Sequence, residues 1–390
     1  MNCAVSGIKC PFPAIVPVLP SAAASVHLQP GAHRPPQDDT NGPSSSSRSR
    51  VSPSRLRDTV AAHSLPPAGG DPHQDLLGER YGLVHFELLR HFETELGTAM
   101  GLSPPEAEGM MRQTVREAFT TPFLMDELLA VSAAHRSTLP DAGHRDYYRL
   151  EATRLQTRAL TQFNAAAATV SDENGLAMFL FSTFLGQHVL FDTFSSHRDL
   201  VALLDKLVQC LSLHRGIAVI ADRFWPAIRD HVPHHFGADT GHHQLPASEA
   251  DGRGTECTGL LGRLGRSELS SASREACRAA VEALQRMLDS QRAAQAPASR
   301  RLIAVQEWPV RVPGGYIDLL AQQRPEALVV LAYYSVLLHR ARDFWIVGEA
   351  GSFLIRAIGQ HLGAYWADWL EWPNRMLVLS EAAPFQAPME

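Results

Sequence analysis

Two cysteines stand near the start of the 390-residue chain, in MNCAVSGIKCPFP, where six residues separate Cys3 from Cys10 and prolines follow. A thiolate is both a soft metal ligand and a nucleophile, so this pair and the other thiols are the first candidates for chemistry. The remaining cysteines, Cys210, Cys257 and Cys277, are scattered, and an odd total of five in so long a chain does not read as a disulfide framework. Cys210 and Cys277 fall on expected helices and read as small buried hydrophobes, while Cys257 falls in an expected loop. Histidines make the second cluster: His231, His234, His235, His242 and His243. Neutral imidazoles within reach of one another bind zinc or nickel. This stretch, however, has no periodicity and no cysteine at ligand spacing, so it reads as a solvated, low-complexity insertion near 231–265.

Motifs of the common enzyme classes are missing. The chain has no Gly-rich phosphate loop ending in Lys-Ser or Lys-Thr, no GxSxG, no HExxH and no kinase signature set. The segment LFDTF offers one carboxylate where a magnesium-dependent helical enzyme needs Asp-rich pairs. With no positioned acid–base or nucleophile pair, the expectation is a protein that is not an enzyme. Aromatic residues concentrate towards the end: Tyr333, Tyr334, Phe344, Trp345, Phe353, Tyr365, Trp366, Trp369 and Trp372. Such a wall lines an apolar ligand pocket between helices or simply fills a core, and the sequence leaves both open. Gly348 and Gly351 mark a bend that lets backbone approach a ligand or closes one helix and starts another.

The elements that must position these residues are helical throughout. In ERYGLVHFELLRHFETELGTAM, Val84, Leu88, Leu89, Phe92 and Leu96 recur every three or four residues as one apolar stripe. Pro104 and Pro105 reopen the chain as a helix through Phe119. TPFLMDELLAVSAAHRS follows with Thr121 as cap and Pro122 at the first position, and its Ala130, Ala133 and Ala134 permit close packing. Tyr148, Leu155, Ala159 and Phe163 share a face of the next helix. SDENGLAMFLFSTFLGQHVLF has Ser171 as expected cap with Asp172 and Glu173 in its first turn, and it is apolar nearly all round, so it belongs in the interior. Order is expected to lapse from Phe224 to Gly265. Helix resumes at Ser267–Ser290, and 324–373 holds two more helices separated by the glycine bend. No period-two strand pattern and no repeat is present, which predicts an all-α protein.

With 45% hydrophobic and 19% charged residues the chain can bury a large core. No uninterrupted apolar run reaches the roughly 18 residues that cross a membrane. The opening residues lack the basic leader of a secretory signal, so the expected location is intracellular. A formal charge of −6 excludes a globally basic nucleic-acid surface. From residue 13 to 74 the composition turns to Pro, Ser, Gly, Ala and Arg, including GPSSSSRSRVSPSR with Arg48, Arg50, Arg55 and Arg57, which predicts a disordered linker. The expected organisation is therefore a short start (1–12), this linker (13–74) and one helical domain (75–390).

HFELLRHFETELGTAM, then TPFLMDELLAVSAAHRS, then RLQTRALTQFNAAAATVSDENGLAMFLFSTFLG, taken in order, resemble the helical regulatory domain of fungal zinc-binuclear-cluster (Zn2Cys6) transcription factors, especially the sterol-uptake-regulator-like branch. The closing RPEALVVLAYYSVLLHRARDFWIVGEAGSFLIRAIGQHLGAYWADWLEWP is similar to the end of the same branch. The resemblance implies a nuclear regulator of RNA polymerase II transcription that binds DNA through two zinc ions held by six cysteines. Cys3 and Cys10 match the last two of those ligands, and the fourth cysteine would sit immediately before Met1, as in a truncated cluster. With four ligands and the basic reading helix missing, this chain is not expected to bind zinc or DNA by itself. The resemblance further implies a possible homodimer and a sterol-like effector, for which Trp345, Gly348, Phe353, Tyr365 and Trp369, between the last two helices, are the candidate pocket. The alternatives are an interaction protein without DNA binding, acting as a dominant-negative regulator, and an all-helical enzyme.

Overall fold

The computed structural model describes residues 81–140, 144–166, 174–195, 199–228, 254–292 and 298–382. Cys3, Cys10, the 13–74 segment and the histidine cluster lie outside them. Among the described residues every regular element is helical, as the sequence predicts. Helix α1 (Leu83–His91) continues through a π-helical turn (Phe92–Leu96) into a last α turn (Gly97–Ala99). The stripe of Leu88, Phe92 and Leu96 is completely buried. Helix α2 (Pro104–Ala118) starts on a capping box, in which the Ser103 backbone N–H donates to Glu106 at 3.0 Å. Helix α3 (Pro122–Arg136) has Thr121 before it and proline at its first position.

Helix α3 is the axis of the first half. Every residue from Phe123 to His135 is buried, because α1, α2, α4 (Arg145–Ala166) and α5 (Gly175–Phe194) all pack on it. Ala130, Ala133 and Ala134 have no exposed surface. Helix α5 is long and apolar enough to cross a membrane, yet 78% of its apolar window is buried inside the fold against α3 and α6 (Leu200–Ile228). Its N-cap is Asn174, three residues beyond the expected Ser171, which lies outside the described residues.

The second half is built around α11 (Pro325–Arg340), buried from Glu326 to His339. Packed on it are α8 (Ser271–Gln291), α9 (Ala298–Arg311), α10 (Gly314–Ala321), α12 (Ala350–Leu362) and α13 (Glu371–Ala382), with α7 (Thr258–Gly265) against α8. Its core is aromatic: Trp308 stacks on Tyr334 at 4.1 Å and donates its indole N–H to Ala280 O at 3.0 Å. The Tyr334 hydroxyl donates to Val305 O at 2.7 Å, and that of Tyr316 to Ala327 O at 3.1 Å. Helix α6 joins the halves, touching α5 on one side and α9, α10 and α12 on the other.

Three expectations need correction. Order does not lapse at Phe224, since α6 runs on to Ile228, and Thr258–Gly265 is a helix that buries Leu260 and Leu264. The three glycines in TGLLGRLG hide that helix, and Cys257 is its N-cap, its N–H donating to Gln285 Oε1 at 2.9 Å. Helices α9 and α10 are unforeseen because Pro309, Pro313, Gly314 and Gly315 break their periodicity. The chain after the glycine bend is not one further helix. Gly363, at φ +73°, ends α12, and a 3₁₀ helix (Ala364–Trp369) precedes α13.

Candidate functional site

Two adjacent carboxylates interrupt the apolar face of α3, and each fastens a different neighbour. Asp126, fully buried, accepts from Arg158 Nε and Nη2 of α4 at 2.7 and 2.6 Å and from Gln162 Nε2 at 2.6 Å. This planar, two-pronged pairing is the strongest geometry a carboxylate finds inside a protein. Glu127, equally buried, faces His188 Nδ1 of α5 at 3.3 Å, and its second oxygen has no hydrogen-bond partner. Burial raises the Glu127 carboxyl pKa against the opposing pull of His188. For His188 burial acts downward, but the Asp192 and Glu127 carboxylates outweigh it and raise the imidazole.

At the C-terminal end of α3, His135 Nδ1 lies 3.0 Å from His91 Nε2 of α1, and His91 Nδ1 lies 3.3 Å from Glu95 in the π turn. Donation from His91 Nδ1–H to Glu95 leaves His91 Nε2 as acceptor for His135 Nδ1–H, a tautomer pair that satisfies both contacts. Burial first, then His91 and Arg136, push His135 down to about 4, so the pair is uncharged near neutrality. Above it opens a cavity of about 530 Å³ lined by Phe86, Glu87, Arg90, His91, Glu95 and Arg136. Its wall is fixed by Arg136, which donates to Glu87 at 3.0 Å, and by the Tyr148 hydroxyl, which donates to the same oxygen at 3.2 Å.

The candidate pocket residues are distributed between separate places. Trp345, in the turn between α11 and α12, reaches back to the first half and packs on His135 and Phe191, with ring centroids 5.1 and 5.0 Å away. Its indole nitrogen is buried without a hydrogen-bond partner. Gly348 lies in the same turn at φ +50°, with open space where a Cβ would stand. Phe353 is half-buried on α12. Tyr365 and Trp369 sit on the 3₁₀ helix, Tyr365 86% exposed, and the Arg263 guanidinium of α7 lies 5.9 Å from the Trp369 ring. A second cavity, of about 330 Å³, opens beside Arg263 and includes Tyr333, Asp368, Glu371, Trp372 and Arg375. None of the five candidates lines either cavity.

Burial pushes Cys210, Cys257 and Cys277 up to about 12, and among the described residues no group of three or more His, Cys, Asp or Glu side chains is placed to hold a metal ion. Periodicity alone does not reveal the acid and histidine pairs. Their available signal was Asp-Glu inside the otherwise apolar PFLMDELL, with Arg158 and His188 on facing helices.

Residues 87–213 match the family described as the fungal-specific transcription factor domain. That match supports a fungal transcription regulator. It begins at Glu87, on the cavity wall, ends within α6, and contains all three polar pairs. Trp345, from outside the matched segment, packs on two residues within it. No curated protein matches the chain.

Proposed function

We propose that this chain is the regulatory part of a nuclear RNA polymerase II transcription factor, its helical domain serving effector sensing or dimerisation. The observation that carries the reading is the match of residues 87–213 to the fungal-specific transcription factor domain, on a fold whose described elements are all helical. In this reading Cys3 and Cys10 are the last two thiolates of a binuclear zinc cluster. Two thiolates supply half of one tetrahedral zinc shell, so residues 1–390 alone should give no nanomolar, sequence-selective shift of DNA in a gel. The domain itself is tested by fusing the full chain to an unrelated DNA-binding domain in a fungal reporter strain. A several-fold change in reporter output relative to that DNA-binding domain alone supports the reading; unchanged output with the fusion present in the nucleus opposes it.

The effector in this reading is apolar and sterol-like; since Trp345, Gly348, Phe353, Tyr365 and Trp369 lie in separate places, they do not form its pocket in this conformation. Mass spectrometry of lipids co-purified with the protein tests this separately. Absence of any bound lipid, together with tryptophan emission indifferent to added sterol, would remove the effector and leave a structural domain.

A further inference from the structure

The cavity of about 530 Å³ above the His91–His135 pair is lined by four charged side chains, and two of them do not answer each other. Arg136 and Glu87 are joined at 3.0 Å. Arg90 forms no ion pair with any described residue, and the half-exposed Glu95 carboxylate meets His91, an uncharged imidazole that leaves its charge standing. In a regular α-helix residues five apart point about 140° away from each other, so Arg90 and Glu95 would not face one opening. The π turn Phe92–Leu96 winds the helix wider and brings both to the same cavity, and such turns recur at functional sites. The lining also holds an unpartnered donor, Arg136 Nε, buried without a hydrogen-bond acceptor. Phe86, 62% exposed, supplies its apolar part.

We propose that this cavity binds a small zwitterion, an α-amino acid with an apolar side chain, its carboxylate on Arg90, its ammonium on Glu95 and its side chain against Phe86. Charge selects this class. The lining carries two acidic and two basic groups, so a dianion would bring uncompensated charge against Glu87 and Glu95, and a diamine would do so against Arg90 and Arg136. A wholly apolar molecule would strip water from Arg90 and Glu95 and return no hydrogen bond. A ligand with one charge of each sign compensates both through charge-assisted hydrogen bonds. Size agrees, since ligand cavities run from about 300 to 1,000 Å³. An aromatic side chain would pack offset or edge to face on the Phe86 ring. None of the five residues considered for a sterol-like effector lines this cavity, so the site stands whether or not that effector is found.

The test is isothermal titration of the full chain with L-phenylalanine, compared with 3-phenylpropanoate, which lacks the ammonium, and phenethylamine, which lacks the carboxylate. Phenylalanine should bind with a Kd below ~2 mM, and each analogue about tenfold more weakly, because each forfeits one charge-assisted contact. Glu95→Gln should remove the preference for phenylalanine over 3-phenylpropanoate, and Arg90→Gln the preference over phenethylamine, both at unchanged thermal midpoint. Both side chains are exposed, and glutamine at position 95 still accepts from His91, so these variants keep the fold. The proposal is overturned by a Kd for phenylalanine above ~2 mM, by either analogue binding as tightly as phenylalanine, or by a variant that keeps the full preference.

Discussion

Asp126 and Glu127 are neighbouring carboxylates on α3 with opposite surroundings, one held by three N–H donors and the other by a single imidazole. Asp126→Asn breaks the Arg158 fork and leaves a guanidinium without its counter-charge, so chemical denaturation should show a loss of about 2–4 kcal/mol. The histidines make the fold acid-sensitive. Burial, His91 and Arg136 hold His135 at about 4, and burial holds His214 at about 4, whereas both protonate near the ordinary value in the unfolded chain. Between those values the unfolded state binds more protons. The stability they contribute is therefore complete above about pH 6.5 and is lost as pH falls towards 4. His188 and Glu127, both raised, act in the opposite sense and offset part of it. Urea unfolding between pH 7 and 4.5 should show a net fall in stability, and His135→Gln should flatten that slope. None of this was legible beforehand, because a carboxylate in an apolar helix announces burial without naming its partner.

At the scale of elements, the sequence was clearest where a helix has one apolar face and a sharp start. Helices α2 and α3 begin where Pro104 and Thr121–Pro122 place them, and Leu155, Ala159 and Phe163 lie inward as their spacing predicts. It was obscure where glycine or proline dilutes the period, as in α7, α9 and α10. Gly351 has the clearest structural reason for its identity: a Cβ there would lie 2.7 Å from His339 Cα and from Ser335 O of α11. Gly351→Ala must push α12 off α11 and should cost about 1–3 kcal/mol, measured by thermal or urea unfolding. Gly348→Ala meets open space and strains only its positive φ, so about 1 kcal/mol is expected. The five candidate pocket residues do not share one place: Trp345 packs on His135 and Phe191, whereas Tyr365 and Trp369 follow Gly363 on the 3₁₀ helix.

Across the whole molecule, two helical clusters centred on α3 and α11 are joined by α6 and by the Trp345 indole against His135 and Phe191. Removing that ring should cost about 3–5 kcal/mol and separate the two clusters in unfolding. Trp345→Ala is therefore expected to turn one cooperative transition into two in calorimetry, and a single shifted transition would show that α6 alone carries the coupling. The all-α class and helices α1 to α5 were legible from periodicity, whereas this junction, made by residues 210 positions apart, was not. The central claim, that this helical unit regulates transcription, is tested most directly by chromatin immunoprecipitation of the tagged protein expressed from its own locus. Enrichment at a defined set of promoters, with the tag in the nucleus, is the predicted result; a protein confined outside the nucleus, with no promoter enriched, would contradict it.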